Sequence, residues 1–500
     1  MPETFDTLTT RLAEIQDLRK TGAILFWDQQ TKMPGAGAAG RAEQLATLHR
    51  MAHELFVSEE TGRLLEGLRS YEDSLDPASD EASLIRVTRQ DYEKAARVPA
   101  ELESELTRAA SHGVQDWVTA RETSDFARFL PALERNVELK LRYVECFEPQ
   151  GERYDVLLDD YERGMTAAEV RTIFDRLKEE LVPLIAEIAE RDDPSLEEVT
   201  RGTFPVERQR ELCHDVIRRF GMRPDSWRLD PTEHPFASGA GVDDIRLTTH
   251  YHDDTLEALF ATMHEYGHGL YEHGVDPALD RTPLGSGVSL GLHESQSRMW
   301  ENLVGRSRPF WRYLYPTLRE TFPEQLGSVE LERFLRAINR VHPSLIRIHA
   351  DEVTYNMHVI LRFELEQEIV NGRVELKDLP AEWNRRMHEY LGIEVPDDAH
   401  GVLQDVHWAG GGIGYFPTYS LGNVISVQIW ERVREDLPGL EEGFERGEFA
   451  PLREWLGEHL HRYGRKFSPK ETIIKVAGGP IDPEPYLRYL RAKHGADGSL

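Results

Sequence analysis

The sequence predicts a mainly α fold, large and two-lobed, with a small β-sheet beside a histidine-bearing helix. Three observations carry that expectation. Apolar residues recur at helical spacing over most of the 500 residues. One segment, 243–254, alternates instead. An H-E-x-x-H spacing follows it within one helix length, at 264–268.

Taken in order, Leu8, Leu12, Ile15 and Leu18 stand three and four apart, which predicts a helix over 5–27. Similar periodicity predicts helices near 83–112, 125–148, 206–220, 351–371 and 424–436. Thr166, with Glu169 three residues on, reads as a capping box opening an amphipathic helix. In "DDIRLTTHYHDD" the alternation of Ile245, Leu247, Thr249 and Tyr251 predicts a strand. Such a strand is either an edge along which a peptide substrate lies by backbone hydrogen bonds, or part of a small structural hairpin. The polar stretch 191–205 carries two prolines. It is the expected connection between an N-terminal helical lobe, about 1–200, and a metal-site lobe, about 201–500, of a single domain spanning 1–500.

Composition narrows the function classes. Hydrophobic residues make up 40% and charged residues 30%, a globular balance. A formal net charge of -30 repels phosphate backbones, so no nucleic-acid partner is expected. No long uncharged apolar run occurs, so no membrane span is predicted. Two cysteines and an N-terminal stretch without an apolar core suit a reducing, cytoplasmic setting.

The chemistry centres on "ATMHEYGHGLYEHG". His264 and His268 are one helical turn apart and face the same way, so both imidazoles reach one ion. Glu265 lies about 100° round the helix from His264, beside the open coordination position, where a general base belongs. A third ligand is needed. The metzincin extension requires Gly at 271 and His at 274, but these are Tyr271 and Gly274. His273 lies on the wrong side of the helix. Glu294, 26 residues after His268 in "GLHESQSRMWEN", completes a two-His, one-Glu set, and read in isolation it is a surface acid. Arg298 and Glu301 share its side of that helix, so Glu301 is a candidate to orient a ligand.

Here the sequence resembles the carboxypeptidase Taq family of metallocarboxypeptidases. The resemblance rests on "HPF" at 234–236, "DIRLT" at 244–248, "HEYGH" at 264–268, "HESQ" at 293–296, "IRIHAD" at 346–351 and "GVLQDVHW" at 401–408. "GYFPTYSLGN" at 414–423 and "WDQQTKMPGAG" at 27–37 add to it. It implies a helical fold with a deep central groove and a homodimer. It also implies release of single C-terminal residues with broad tolerance and poor action on proline. Carried over by motif, His264, His268 and Glu294 are the metal ligands and Glu265 the base. The ion is zinc by first choice, with cobalt or manganese as alternatives.

Other motif residues have physical roles to fill. Arg347 is the first choice to clamp the substrate carboxylate, since its fork pairs with a carboxylate bidentately. An ion pair with Asp351 at i+4 is the competing reading. His407, Tyr415 and Tyr419 are candidate oxyanion donors, with Tyr419 preferred over Tyr415. Arg246 and His234 are implied to close one end of the groove and limit substrate length. The expected reaction is metal-assisted hydrolysis in which Glu265 takes a proton from water and passes it to the leaving amine. A helical oligopeptidase or dipeptidyl carboxypeptidase is the enzymatic alternative. A peptide-binding protein with a relic metal site is the non-enzymatic one.

Overall fold

In the computed structural model, which describes residues 2–149 and 151–495, the first periodic segment forms one helix, Pro2–Thr31. Its Leu8, Leu12 and Ile15 are fully buried and pack with Phe56, Leu65 and Ile85 in a small N-terminal cluster. The expected helix over 83–112 is two helices, Asp80–Arg97 and Ala100–Thr123. Val98 leaves the helical region at ψ 119 because the ring of Pro99 clashes with a helical residue before it. The capping box forms as expected. Thr166 Oγ1 accepts from the Glu169 amide at 3.3 Å, and the Glu169 carboxylate accepts from the Thr166 amide at 2.9 Å.

A much larger hydrophobic cluster runs from Leu102 to Leu490. Side chains before and after the 191–205 connector belong to it: Phe174 and Leu181 on one side, Leu212 and Phe220 on the other. Among the described residues no helix is long and apolar enough to cross a membrane.

The sheet has three strands: β1 (Trp227–Pro231), β2 (Ala237–Gly241) and β3 (Asp244–Thr249). Their order is β1-β3-β2, with β1 parallel and β2 antiparallel to β3. The alternating segment is therefore the central strand, which corrects the edge-strand expectation. Both its ladders are filled by the protein itself, so no peptide can add to it. The flanking strands escape sequence reading because "WRLDP" holds Asp and Pro, and "ASGAG" has no β-branched or aromatic residue.

Three helices converge behind this sheet. The histidine helix, Glu257–His273, lies on it with Gly269 against Leu247 and Trp227. At Gly267 it crosses the glutamate helix, Leu290–Arg298, so closely that a Cβ would strike the backbone of Gln296 and Ser297. A third helix, Pro417–Asp436, presents Gly422 to the Cβ and Cγ of Glu294. Gly267→Ala should therefore lower stability by about 1–3 kcal/mol, since backbone on both sides must move. Urea denaturation measures this. An unchanged midpoint would mean the crossing is looser than the contact distances imply.

Candidate metal centre

The crossing at Gly267 brings His264, His268 and Glu294 together. One ligand atom from each lies within 4.8 Å of the others. Glu294 Oε2 stands 3.6 Å from His264 Nε2 and 3.4 Å from His268 Nε2. Tetrahedral ligands at the usual zinc bond lengths stand roughly 3.3–3.4 Å apart, so the spacing and the donor set both fit a divalent ion.

Each ligand is held from behind. His264 Nδ1 is 2.8 Å from Glu301 Oε2, which makes Glu301 the orienting acid its place on the helix suggested. His268 Nδ1 is 2.8 Å from His293 Nδ1, and His293 Nε2 is 2.8 Å from Glu272 Oε1. Arg298 Nε donates to Glu294 Oε1 at 2.7 Å, which leaves Oε2 facing the histidines. Arg298 also reaches Glu301 at 3.2 Å. Just after Arg298 the helix widens into a π-helical turn, Met299–Val304, a local form frequent at functional sites. Glu301→Gln should weaken metal binding by about 10–100-fold, because a neutral amide with one acceptor oxygen replaces the carboxylate that holds the His264 ring and also meets Arg298. Competition against a chelating dye measures it; equal affinity would remove Glu301 from the centre.

Electrostatics suits the ligands to their roles. Burial pushes His268 down to about 4, so it is neutral at pH 7 and able to bind metal. Burial would raise Glu294, but Arg298 and the two histidines hold it well below the usual carboxylate range. Glu265 is buried in the histidine helix, and burial raises it to about 7. No described residue hydrogen-bonds or ion-pairs with the Glu265 side chain, which leaves its carboxylate free to handle a proton.

Beside the centre lies a second cluster. His407 Nε2 is 3.1 Å from the Tyr419 hydroxyl, and burial lowers His407 to about 4, so the ring is neutral. Tyr415 packs against both with tilted rings, their centroids 5.2 Å from His407 and 5.3 Å from Tyr419. The Arg347 guanidinium lies 4.8 Å from the Tyr419 ring centroid. The sequence candidates His407, Tyr415, Tyr419 and Arg347 are thus neighbours.

Arg347 does pair with an acid, but not with Asp351. Its Nη2 donates to Asp405 at 2.6 Å, and its Nη1 donates to the Tyr355 hydroxyl at 2.8 Å. Asp351 instead accepts from the Val353 and Thr354 amides, in the turn just before the helix that begins at Tyr355. Asp405 also takes Arg362, so two guanidiniums share one carboxylate.

Arg246 and His234 stand apart from both clusters. Arg246 donates twice to Asp244 at 2.8 Å and stacks 4.5 Å from the Trp27 ring, which Arg228 meets at the same distance. That stack docks the "WDQQ" stretch of the first helix onto the sheet. His234 is exposed between β1 and β2. Sequence reading missed His293, Glu272, Tyr355 and Asp405 as partners. The i+4 spacing of Glu272 from His268, and the place of His293 beside Glu294, were the available signals for two of them.

Comparison with known proteins adds to this geometry. The family model described as carboxypeptidase Taq (M32) metallopeptidase matches residues 7–494. The chain is 42% identical to thermostable carboxypeptidase 1 of Thermus thermophilus over 96% of each chain. It is 37% identical to carboxypeptidase 1 of Bacillus subtilis over 97% of this chain and 96% of that one. The crystal structure of an M32 carboxypeptidase from Deinococcus radiodurans superposes with a TM-score of 0.95, at 41% identity and 99% coverage of both chains.

Proposed function

Because the chain belongs to the carboxypeptidase Taq (M32) family, and is therefore a metallocarboxypeptidase acting on peptides, we propose that it releases single C-terminal residues with Glu265 as general base. The observation that carries this reading is a free buried acid, Glu265, beside a three-ligand metal site. Broad side-chain tolerance with poor action on proline belongs to the same proposal, as does a homodimer in the cytoplasm.

His264, His268 and Glu294 would hold one divalent ion, zinc first, with cobalt or manganese as alternatives. When bound, the ion supplies Lewis acidity toward water and the scissile carbonyl. Glu265 takes the proton of the attacking water and gives it to the leaving amine. Burial strengthens its hold on a proton. The Tyr419 hydroxyl, steadied by His407 Nε2, donates to the developing oxyanion, with Tyr415 beside it.

Arg347 binds the terminal carboxylate, which sets the cut one residue in. Two features support this role. A guanidinium has five N–H donors, and Asp405 and Tyr355 use only part of them. Arg347 and Arg362 together outweigh the single charge of Asp405, so an incoming carboxylate completes the balance. Arg246, on the sheet held by Trp27, and His234, in the β1–β2 connection, would limit how far a substrate extends.

The test is mass spectrometry of an unblocked peptide incubated with zinc-loaded protein, with and without a chelator. A ladder losing one C-terminal residue per step, stopped by the chelator, is the expected result. Dipeptide release or internal cuts would replace this reading with the oligopeptidase one and remove the role of Arg347. Absence of cleavage with any divalent metal would favour the peptide-binding alternative.

A further inference from the structure

One buried carboxylate ties together both ends of the loop that separates His407 from Tyr415 and Tyr419. Glu366 belongs to helix Tyr355–Val370 and is fully buried. Its Oε1 accepts from Trp408 Nε1 at 2.8 Å. Its Oε2 accepts from the Gly414 amide at 3.0 Å and the Tyr154 hydroxyl at 2.6 Å. No described residue forms an ion pair with it, and burial raises it to about 7 against the pull of these donors. A buried carboxylate is costly without partners; here three donors meet it, and Arg362, one turn earlier in the helix, favours its charge. Its distinctive consequence is that Trp408 and Gly414 are fastened to one group.

Those two anchors border the candidate oxyanion donors. Trp408 follows His407, and Gly414 precedes Tyr415. Between them the Gly412 amide donates to the His407 carbonyl at 2.7 Å, and Asn136 Nδ2 donates to the carbonyls of Trp408 and Ala409 at 3.0 and 2.7 Å. Gly414 has φ +96 and lies so close to Leu157 that a Cβ would sit 2.6 Å from its carbonyl oxygen. The far end of the loop therefore has one tight seat, and Glu366 locks it there.

We infer that Glu366 is a positioning residue that sets the His407–Tyr419 pair by holding Trp408 and Gly414 on a single carboxylate. This rests on the oxyanion role proposed for that pair. A Gln in the same place has one acceptor oxygen. Its amide nitrogen must then face either the indole N–H or the Gly414 N–H, donor against donor, and one end of the loop is released.

The experiment compares four variants of the full zinc-loaded protein: Glu366→Gln, Trp408→Phe, Tyr154→Phe and Tyr419→Phe. Turnover, KM, zinc affinity and melting temperature are measured for each. Glu366→Gln and Trp408→Phe should lower kcat roughly 10- to 100-fold, the scale of a misplaced catalytic group, with KM and zinc affinity held. Tyr154→Phe removes a bond to the same carboxylate without touching the loop, so it should lose stability and keep its kcat. Wild-type kcat in both Glu366→Gln and Trp408→Phe would overturn the inference. So would an equal loss of kcat in Tyr154→Phe, since the carboxylate would then matter only for folding. If Glu366→Gln fails to fold, Trp408→Phe still decides. Full turnover in Tyr419→Phe would overturn the oxyanion reading and the inference with it, whereas its loss beside wild-type kcat in both Glu366→Gln and Trp408→Phe would overturn the inference alone.

Discussion

Glu265→Gln is expected to lower kcat by about 10²–10⁴-fold while metal content and fold are retained. The amide keeps the shape of the acid and loses its ability to take a proton. No described residue hydrogen-bonds to Glu265, so no structural network is broken with it. His264, His268 and Glu294 keep their supports in Glu301, His293 and Arg298. Stability should move the other way. Burial raises Glu265 to about 7, above the usual value of about 4.3 in an unfolded chain. The folded state therefore binds the proton more tightly, and this group costs the fold stability as pH rises through that window. The neutral amide removes the penalty, so the metal-free variant should melt at or above the metal-free wild type at pH 8. Turnover, metal analysis and melting curves check the three parts. Full turnover with metal bound would reject Glu265 as the base.

What could be read ahead of the structure was local. The one-turn spacing of His264 and His268, the capping box at Thr166 and the orienting place of Glu301 all depend on neighbours within a turn or two of one helix. What could not be read depends on pairings between distant segments. Asp351 sits four residues from Arg347 and invited an ion pair, yet its oxygens are used by the amides of the turn that leads into the next helix. The partner of Arg347 is Asp405, 58 positions away. The strand at 244–249 was visible from its alternation, but its central place was hidden because its neighbours are a Pro-ended strand and a Gly-Ala-Ser strand. Glu366 looks like any helix acid in the sequence until Trp408 and Gly414 arrive from another part of the chain.

The second large effect concerns Asp405. Asp405→Asn should lower stability by about 3–5 kcal/mol, the scale for removing one partner of a buried ion pair. Arg362 is fully buried and Arg347 nearly so. Both lie 2.6 Å from the Asp405 carboxylate. An Asn offers one acceptor oxygen and no charge, so two guanidiniums would face each other without compensation. The same pairing sets an acid limit. Burial would raise Asp405, but Arg362 and Arg347 hold it far below the usual carboxylate range. Its folded pKa therefore lies below the unfolded value of about 3.9, and its contribution is present above that pH and lost as pH falls below it. Urea midpoints measured from pH 7 down to pH 3 should fall more steeply for the wild type than for Asp405→Asn. Catalysis should suffer too, because Arg347 loses the group that aims its fork, and KM should rise. Equal midpoints and equal acid slopes in the two proteins would show that the cluster is not held by this charge. Arg347 would then need another source for its orientation.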